Sequence, residues 1–148
     1  MERIAVKFQR LQPGVKVPKY ATAGAAGIDL CALLDKELVL KPGEIIKVPT
    51  GLAIELPGPN VVAIVCARSG LASRYGITLA NAVGVIDSDY RGEIQIPLIN
   101  LGSELYVIKN GERIAQMLFL PVYLADLVAV TELGATGRGT GGFGSTGA

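Results

Sequence analysis

Two apolar stretches are joined by the polar segment Gly84-Val85-Ile86-Asp87-Ser88-Asp89-Tyr90-Arg91-Gly92-Glu93. This segment gives the main indication of the fold class. Apolar residues precede it, and the alternating run Ile94-Gln95-Ile96-Pro97-Leu98 follows it. Alternation with a period of two is typical of a half-buried strand, so the sequence predicts a β-hairpin with a polar turn. Asp87 and Asp89 are two residues apart and would share one face of an extended backbone. Because Asp, Ser and Gly also form ordinary solvated turns, this segment alone leaves both a plain turn and a functional site open.

Outward from this segment, the chain consists of short apolar stretches separated by glycine and proline. Breaks every ~8–12 residues are typical of an all-β sandwich, jelly roll or barrel. We expect strands at residues 1–11, 37–41, 44–49, 52–56, 61–67, 77–83, 93–100, 104–108, 113–121 and 125–133. Residues 71–75 suit one helical turn, and the dipeptide Asn110-Gly111 predicts a tight hairpin turn. The sequence therefore predicts a single all-β domain over residues 1–133.

The composition predicts both a dense aliphatic core and apolar surface that is covered in an oligomer. Hydrophobic residues make up 50% of the 148 residues, whereas aromatic residues make up only 5%. Apolar surface of this extent is commonly hidden between subunits. The net charge of +1 gives no general attraction to a polyanion, so we expect no nucleic acid and no membrane as partner.

The absence of histidine excludes several kinds of site. A Ser-His-Asp triad, histidine acid–base chemistry and an ordinary zinc site are all ruled out, so a carboxylate is the expected base. The two cysteines, Cys31 and Cys66, form no CxxC motif, and we expect them to be buried small hydrophobic residues. The N-terminus lacks the apolar core of a signal peptide, and no apolar run reaches the ~20 residues that span a bilayer. We expect a soluble, cytoplasmic protein.

Three other segments carry groups that suit a ligand, and two of them also have a structural explanation. Arg68-Ser69-Gly70 offers a guanidinium, a hydroxyl and backbone amides to an anion, but Ser69 also suits a helix N-cap. The side-chain amide of Gln116 suits donation to a phosphate. Residues 22–30 are rich in small side chains and reach a carboxylate at Asp29, which suits either a tightly packed bend or a close approach to a ligand.

Residues 134–148 differ from the rest of the chain because they contain seven glycines. We expect a mobile tail in isolation, since little there offsets the entropy lost on ordering. Its formal G-x-G-x-x-G matches do not indicate a dinucleotide site, because no helix can follow so near the C-terminus. Backbone amides with Arg138, Ser145 and Thr146 suit the wrapping of phosphates, and Phe143 suits stacking on a base. A disordered tail without a role is the alternative.

Taken together, these segments resemble the homotrimeric dUTP pyrophosphatases (dUTPases), a family with five motifs in fixed order. The resemblance runs from about residue 22 to the end of the chain; each motif is weak alone, whereas five in order are specific. One departure is Ala67, where many members have proline, and it concerns backbone rigidity only. The motifs here are Ala26-Gly27-Ile28-Asp29-Leu30, Arg68-Ser69-Gly70-Leu71-Ala72, Asn81 with Gly84 through Gly92, Gly111-Glu112-Arg113-Ile114-Ala115-Gln116, and Arg138 through Gly147.

The resemblance implies a jelly-roll-like subunit in a homotrimer with three active sites at subunit boundaries, each closed by the tail, residues 134–148, of another chain. It implies hydrolysis of dUTP to dUMP and pyrophosphate with Mg²⁺ bound by the triphosphate, which limits uracil in DNA and supplies dUMP for dTMP synthesis. Asp87 would hold the attacking water and act as general base for in-line attack at the α-phosphorus. An aspartate needs no histidine to be ionised at pH 7.

The resemblance also implies which residues bind the substrate. Tyr90 would stack under the deoxyribose and exclude a 2′-hydroxyl, and Asp29 would orient Mg²⁺ through water. A tight fit around uracil would exclude the methyl group of thymine, and mispaired polar groups would reject cytosine. The uracil edge would be held by Asn81, Gly84, Val85, Ile86 and Gln95. The phosphate chain would be held by Arg68, Ser69, Gly70 and Gln116. The tail would close over the substrate with Arg138, Phe143, Gly144, Ser145 and Thr146.

Two other functions fit parts of this pattern. The dCTP deaminases share the fold, the trimer, the arginine–serine segment and the hairpin, but they use a glutamate base near the pyrimidine. The matching residues 78–83 contain no acid in this chain. A non-catalytic nucleotide-binding jelly-roll module would leave dUTP intact in the presence of Mg²⁺, and the intact Asp87 and Arg138 argue against it.

Overall fold

The computed structural model describes residues 3–142 of the chain, and these residues form eleven strands and one helix. In chain order the elements are β1 (Lys7–Arg10), β2 (Ile28–Cys31), β3 (Leu38–Leu40), β4 (Ile45–Pro49), β5 (Leu52–Glu55), β6 (Val61–Cys66), α1 (Ser69–Tyr75), β7 (Ile77–Leu79), β8 (Gly84–Ile86), β9 (Gln95–Asn100), β10 (Tyr106–Ile108) and β11 (Arg113–Pro121). The predicted all-β class is confirmed.

The strands pair antiparallel in four small sheets around one aliphatic core. The larger sheets have the orders β2-β11-β6-β8 and β4-β9-β7, and the smaller ones pair β1 with β5 and β3 with β10. Every sheet contributes to the core, whose almost fully buried members include Leu40, Leu52, Ile96, Ile108 and Met117. The predicted strand at residues 113–121 is observed with both bounds, while most other predicted strands are shorter by one to several residues.

Helix α1 is longer than the single predicted turn, and its C-terminal end is fixed to the β7–β9 side of the molecule. It ends at Gly76, which has a φ of +69°. A Cβ at this position would lie 2.4 Å from the backbone nitrogen of Gly102, so a larger residue would be both strained and obstructed. At the other end, Arg68 occupies the N-cap position without a side-chain hydrogen bond, so the alternative that Ser69 is an N-cap is wrong.

The predicted hairpin around residues 84–93 is wrong, because β8 and β9 belong to different sheets. Strand β8 pairs with β6, and β9 pairs with β4 and β7. The segment between them therefore crosses from one sheet to the other. Asp87 begins a turn in which the backbone nitrogen of Tyr90 donates to the backbone oxygen of Asp87 at 3.2 Å. Asp87 and Asp89 therefore do not lie along an extended strand. A local sequence pattern cannot show which distant strand offers the longer pairing edge.

A turn is present at residues 109–112, but the predicted hairpin is wrong, because β10 and β11 pair with other strands and not with each other. The Glu112 nitrogen donates to the Lys109 oxygen at 3.1 Å, and Gly111 has a φ of +76° whereas Asn110 does not have a positive φ. The Asn-Gly hairpin turn needs a positive φ at both central residues. One positive φ at the third position is the type II arrangement, which leaves β10 and β11 free to join separate sheets.

The strand predicted at residues 125–133 is also wrong. Residues 122–142 contain neither helix nor strand, and residues 123–133 make no backbone hydrogen bond within the described chain. A strand requires a paired ladder, and no other strand within residues 3–142 lies alongside this segment. Its apolar side chains are therefore exposed, with Tyr123 at 97% and Leu124 at 98% exposure. We call residues 122–133 the apolar arm.

Two further observations bear on the sequence predictions. Cys31 and Cys66 are free thiols that are only half-buried, so the expectation of full burial is wrong. Cys31 is the last residue of β2 and Cys66 is the last residue of β6. No helix within residues 3–142 has the length and apolar character that crossing a bilayer would require.

Candidate active site

Asp29 on β2 lies between two arginines, and we call Asp29, Arg68, Arg113 and Gln116 the arginine cluster. One oxygen of Asp29 accepts from Arg68 Nε at 3.0 Å, and the other accepts from Arg113 Nη1 at 3.1 Å. Arg68 Nη1 also donates to the backbone oxygen of Arg113 at 3.1 Å. Because two guanidinium groups share one carboxylate, the cluster has net positive charge and free N–H donors. This arrangement suits a phosphate group.

The arginine cluster depends on a β-bulge in β11. The register against β2 shifts by one residue between Arg113 and Ala115, so Ile114 is an extra residue on β11. On a regular strand, residues 113 and 116 would face opposite sides of the sheet because side chains alternate. After the shift, Gln116 lies opposite Asp29, on the same face as Arg113. Ile114 and Ala115 are both buried, as expected where two consecutive residues oppose one.

Gln116 is held in place from two sides. Its Nε2 donates to the backbone oxygen of Ala67 at 3.0 Å. A Cβ on Gly27 would lie 3.1 Å from Gln116 Oε1, which is tighter than ordinary van der Waals contact. The small residue at position 27, within the small-residue segment 22–30, therefore leaves room for this amide beside Asp29.

Ser69 and Gly70 follow Arg68 at the start of α1 and are both exposed. A Cβ on Gly70 would meet no atom within 4 Å, and Gly70 has no positive φ. Packing and backbone conformation within one chain therefore do not require glycine at this position. A close approach of a ligand or of another chain to the backbone would require it.

The second polar region is a cavity of about 190 Å³ between β8 and β9, which we call the β8 pocket. Its volume is below the ~300 Å³ at which ligand pockets usually begin, so it suits the nucleoside part of a nucleotide rather than the whole. Strand β8 is the edge strand of its sheet, so its outer backbone N–H and C=O groups face the pocket side without a strand partner in the described chain. The lining includes Asn81, Gly84, Val85, Ile86, Asp87, Tyr90 and Gln95.

Tyr90 is folded back over the turn that follows Asp87. Its hydroxyl donates to the backbone oxygen of Glu93 at 2.9 Å. A Cβ on Gly92 would lie 2.4 Å from this hydroxyl, so the tyrosine can adopt this position only beside glycine. The Glu93 carboxylate accepts from the Gly51 nitrogen at 2.7 Å and from Gln95 Nε2 at 3.2 Å. The wall of the pocket is therefore held by two contacts to backbone groups, at Gly51 and Glu93, and by one bond between the Glu93 and Gln95 side chains.

The structure brings the predicted site residues into separate groups. The lining of the β8 pocket includes none of Asp29, Arg68 and Gln116. In the tail, Arg138 is exposed, and its Nε donates to the backbone oxygen of Gly141 at 2.8 Å. Among the described residues, Arg138 makes no hydrogen bond to the arginine cluster or to the lining of the β8 pocket. The predicted tail residues Phe143, Gly144, Ser145 and Thr146 lie outside the described residues.

Arg113 belongs to the candidate site, although the motif that contains it does not by itself predict this role. Strand periodicity places it on the face opposite Gln116, and only the bulge reverses this. The available signal was the pair of consecutive apolar residues, Ile114 and Ala115, between two polar residues. Strict alternation would place a single apolar residue between two polar ones, so the pair is typical of a bulge.

The donor groups fit a metal ion that arrives with a phosphate ligand rather than one held by the chain. Within residues 3–142, no three His, Cys, Asp or Glu side chains form a cluster that could hold a metal ion. Both oxygens of Asp29 already accept from arginines, and 20% of this side chain is exposed. Mg²⁺ keeps several of its waters in such sites, so Asp29 suits a contact through water.

Cys31 lies on the same strand as Asp29, two residues further on. Burial, with a smaller contribution from the Asp29 charge, raises the pKa of its thiol, although the nearby cations Lys16, Arg113 and Arg68 lower it. Because the thiolate is the nucleophilic and metal-binding form, this thiol is poorly reactive at neutral pH.

A protein-family model of the dUTPases matches residues 14–147. The chain belongs to the dUTPase family. It is 59% identical over 145 residues to a deoxyuridine 5′-triphosphate nucleotidohydrolase of Desulfitobacterium hafniense (strain DSM 10664 / DCB-2), with 98% of this chain and 96% of that protein covered. It is 54% identical over 131 residues to the protein of the same name from Neisseria meningitidis serogroup C (strain 053442), with 88% of this chain and 87% of that protein covered.

The fold agrees with a solved dUTPase structure. The dUTPase of Staphylococcus bacteriophage 80alpha with dUpNHpp has a TM-score of 0.85 and 25% identity, covering 97% of this chain and 99% of that one. The predicted family and the jelly-roll-like fold of the subunit are confirmed. The arginine cluster and the β8 pocket carry residues of four of the five dUTPase motifs quoted above.

Proposed function

We propose that this chain hydrolyses dUTP to dUMP and pyrophosphate. The observation that carries the proposal is the 59% identity, over 98% of the chain, to a deoxyuridine 5′-triphosphate nucleotidohydrolase. Hydrolysis of dUTP limits uracil in DNA and supplies dUMP. The cytoplasmic location stays a prediction.

The β8 pocket binds the deoxyuridine part. Uracil has one N–H donor between two carbonyl acceptors, and an edge strand offers alternating backbone C=O and N–H groups. Val85 and Ile86 on this edge, with the amide of Asn81, pair with the base, and Gln95 closes the pocket beside it. Cytosine would leave buried polar groups unpaired, which is costly. The ring of Tyr90, fixed by its bond to Glu93, lies under the sugar and leaves no space for a 2′-hydroxyl.

The chemical step is an in-line displacement at the α-phosphorus. The Asp87 carboxylate accepts a proton from a water molecule while the water oxygen bonds to the α-phosphorus. The bond from this phosphorus to the bridging oxygen of the β-phosphate breaks, and pyrophosphate leaves. Arg68, Ser69, Gly70 and Gln116 hold the phosphate chain, and Arg113 aligns Arg68 through Asp29.

Mg²⁺ enters as part of the substrate, bound to the triphosphate. When bound, it neutralises part of the phosphate charge and so favours departure of pyrophosphate. Asp29 holds its position through water. A chain with a net charge of +1 cannot offset a triphosphate by its general field, so local cations are required.

The site is completed by a homotrimer. The arginine cluster and the β8 pocket are separate groups on one chain, and Gly70 has empty space around its backbone. The apolar arm exposes Leu127 at 96%, Val128 at 80% and Leu133 at 89%, which is unfavourable in water and suits cover by another chain. Residues 134–148 of one chain close over a site formed by two others, with Phe143 on the base and Arg138, Gly144, Ser145 and Thr146 around the phosphates.

Product analysis tests this function directly. The protein is incubated with Mg²⁺ and with dUTP, dCTP, dTTP or UTP, and the products are separated by ion-exchange chromatography. We expect dUMP and pyrophosphate from dUTP and little turnover of the other three. Release of ammonia from dCTP would indicate a deaminase, and intact dUTP would contradict the proposal.

Light scattering tests the oligomeric state. It should give a mass of three times the 15.4 kDa chain, and an active monomer would contradict the shared site.

A further inference from the structure

Tyr106 on β10 connects the two chain segments that carry the arginines of the arginine cluster. Its ring packs against the ring of Tyr75, with centroids 5.1 Å apart and planes at 50°. Tyr75 is the last residue of α1, which begins directly after Arg68. The Tyr106 hydroxyl donates to the Glu112 carboxylate, and Glu112 directly precedes Arg113.

Glu112 in turn fixes the turn that leads into β11. Its second carboxylate oxygen accepts from the backbone nitrogen of Lys109 at 3.0 Å. Its backbone oxygen accepts from the Ala32 nitrogen at 2.8 Å, and the Gly111 nitrogen donates to the Ala32 oxygen at 2.8 Å. Ala32 directly follows β2, the strand of Asp29. The Glu112 carboxylate therefore holds the turn that precedes Arg113, and the backbone bonds to Ala32 place this turn beside the strand of Asp29.

The Tyr106 hydroxyl remains a hydrogen-bond donor across the ordinary pH range. Burial, the hydrogen bond to Glu112 and the charge of Glu112 raise the pKa of Tyr106. The hydroxyl therefore stays protonated and continues to donate at any pH at which the protein would be assayed. A hydrogen bond to a charged acceptor is stronger than one between neutral groups.

We propose that Tyr106 is a positioning residue for the phosphate chain, acting on Arg113 through Glu112. This inference rests on the proposed dUTP hydrolysis. A phenylalanine at position 106 keeps the ring contact with Tyr75 but leaves the Glu112 carboxylate without this donor. The turn before Arg113 is then less firmly held, and phosphate binding weakens while the β8 pocket is unchanged.

The test compares Tyr106→Phe with Tyr75→Phe as the matched control, since the second change removes a hydroxyl from the other, half-exposed ring of the pair. Steady-state kinetics give KM and kcat for dUTP. Calorimetry gives the affinities for pyrophosphate, which reports on the arginine cluster, and for deoxyuridine, which reports on the β8 pocket.

We expect Tyr106→Phe to raise KM for dUTP and to weaken pyrophosphate binding about fivefold, as expected for partial loss of one charge-assisted hydrogen bond. Deoxyuridine affinity and kcat should stay within about twofold of wild type, because the pocket and Asp87 are untouched. Tyr75→Phe should match wild type in all four quantities. Unchanged pyrophosphate affinity in Tyr106→Phe, with only a lower melting temperature, would overturn the proposal, and so would an equal loss in Tyr75→Phe.

A second pair of variants covers the case in which Tyr106→Phe does not fold. Glu112→Gln keeps an oxygen acceptor for Tyr106, whereas Glu112→Ala removes it. We expect a weaker loss of pyrophosphate affinity in the glutamine variant than in the alanine variant, and equal, wild-type affinities would overturn the proposal. If wild-type protein fails to hydrolyse dUTP, the proposed function is wrong, and the pyrophosphate comparison still decides the role of Tyr106.

Discussion

Arg113 and Gln116 are three residues apart on β11 and nevertheless face the same side of the sheet. The β-bulge at Ile114 shifts the register between them, so one strand supplies both a guanidinium and an amide next to Asp29. Without the bulge, one of the two side chains would point into the core. The geometry of the arginine cluster, which we propose binds phosphate, is therefore built into the strand register.

Arg113→Ala should weaken substrate binding. The change leaves one oxygen of Asp29 unpaired and lets Arg68 reorient, so we expect KM for dUTP to rise about tenfold with a smaller effect on kcat. Arg113→Lys should lie between wild type and alanine, because an ammonium keeps the charge but not the fork geometry. Arg10→Ala, an exposed arginine on β1, is the control. A KM unchanged by Arg113→Ala would remove this residue from the site.

Asp87→Asn should retain binding of dUTP and lose turnover. An amide can hold a water molecule but cannot accept its proton, so we expect kcat to fall about 100-fold or more. The affinity for the dUTP analogue dUpNHpp, measured by calorimetry, should remain close to that of wild type. Asp89→Asn changes the neighbouring carboxylate of the same turn and should keep most activity. Comparable losses in both variants would mean that the turn, rather than the base, had been damaged.

Gly92→Ala should reduce discrimination between deoxyribose and ribose. The added methyl would lie 2.4 Å from the Tyr90 hydroxyl, so the ring must leave its present position and its bond to Glu93. We expect kcat/KM for dUTP to fall about tenfold and the ratio of dUTP to UTP turnover to fall with it. Gly58→Ala is the control, since its methyl would meet only the Asn60 side-chain oxygen at 3.2 Å. An unchanged ratio would show that Tyr90 does not sense the sugar.

Tyr106 should make stability fall at alkaline pH. Because the pKa of Tyr106 is raised in the folded chain, the unfolded chain releases this proton first, near the ordinary tyrosine value of about 10. The free energy of unfolding that this group contributes is complete below pH ~10 and decreases as the pH rises further. Glu112 and Tyr75 face the hydroxyl and oppose its ionisation, and Arg68 favours it.

Melting temperatures of wild type and Tyr106→Phe between pH 8 and about 11.5 measure this effect. The wild-type curve should fall more steeply above pH ~10. The pKa of Cys31 is also raised, and it contributes equally to both proteins. Parallel curves would contradict the prediction.

Removal of residues 134–148 should leave the fold and the proposed homotrimer intact and reduce hydrolysis by about 100-fold or more, because the proposed mechanism takes phosphate and base contacts from the tail. Circular dichroism and light scattering check fold and mass, and initial rates check activity. A fully active truncated protein would refute the closing tail. Arg138→Ala in the full chain separates the contribution of this arginine from that of the tail as a whole.

Local patterns predicted most of the strands, and long-range pairing explains the errors. The run at 113–121 was found with both bounds because its partners cover it along its whole length. The segment at 84–93 was interpreted as a hairpin, since nothing local shows that β8 pairs with β6 and β9 with β4. The strand expected at 125–133 has the composition of a strand but no partner within the described chain.

The site was predictable to the extent that its residues lie in motifs. Asp29, Arg68 and Gln116 come together as expected, and Asn81, Asp87 and Tyr90 line one pocket. Arg113 was missed because the bulge that turns it toward Asp29 follows from the register of two strands. The role of Glu112 was likewise hidden, since its partner Tyr106 lies on a strand of another sheet.

The apolar arm has a consequence for the life of a newly made chain. A chain that has folded its core still presents Tyr123, Leu124 and Leu127 to water almost completely. Such an exposed apolar segment can bind non-specifically to other apolar surfaces, so assembly into the proposed homotrimer competes with aggregation from the moment of synthesis. The time that a chain spends alone, and hence its concentration in the cell, then influences how much of it survives, independently of how stable its folded core is.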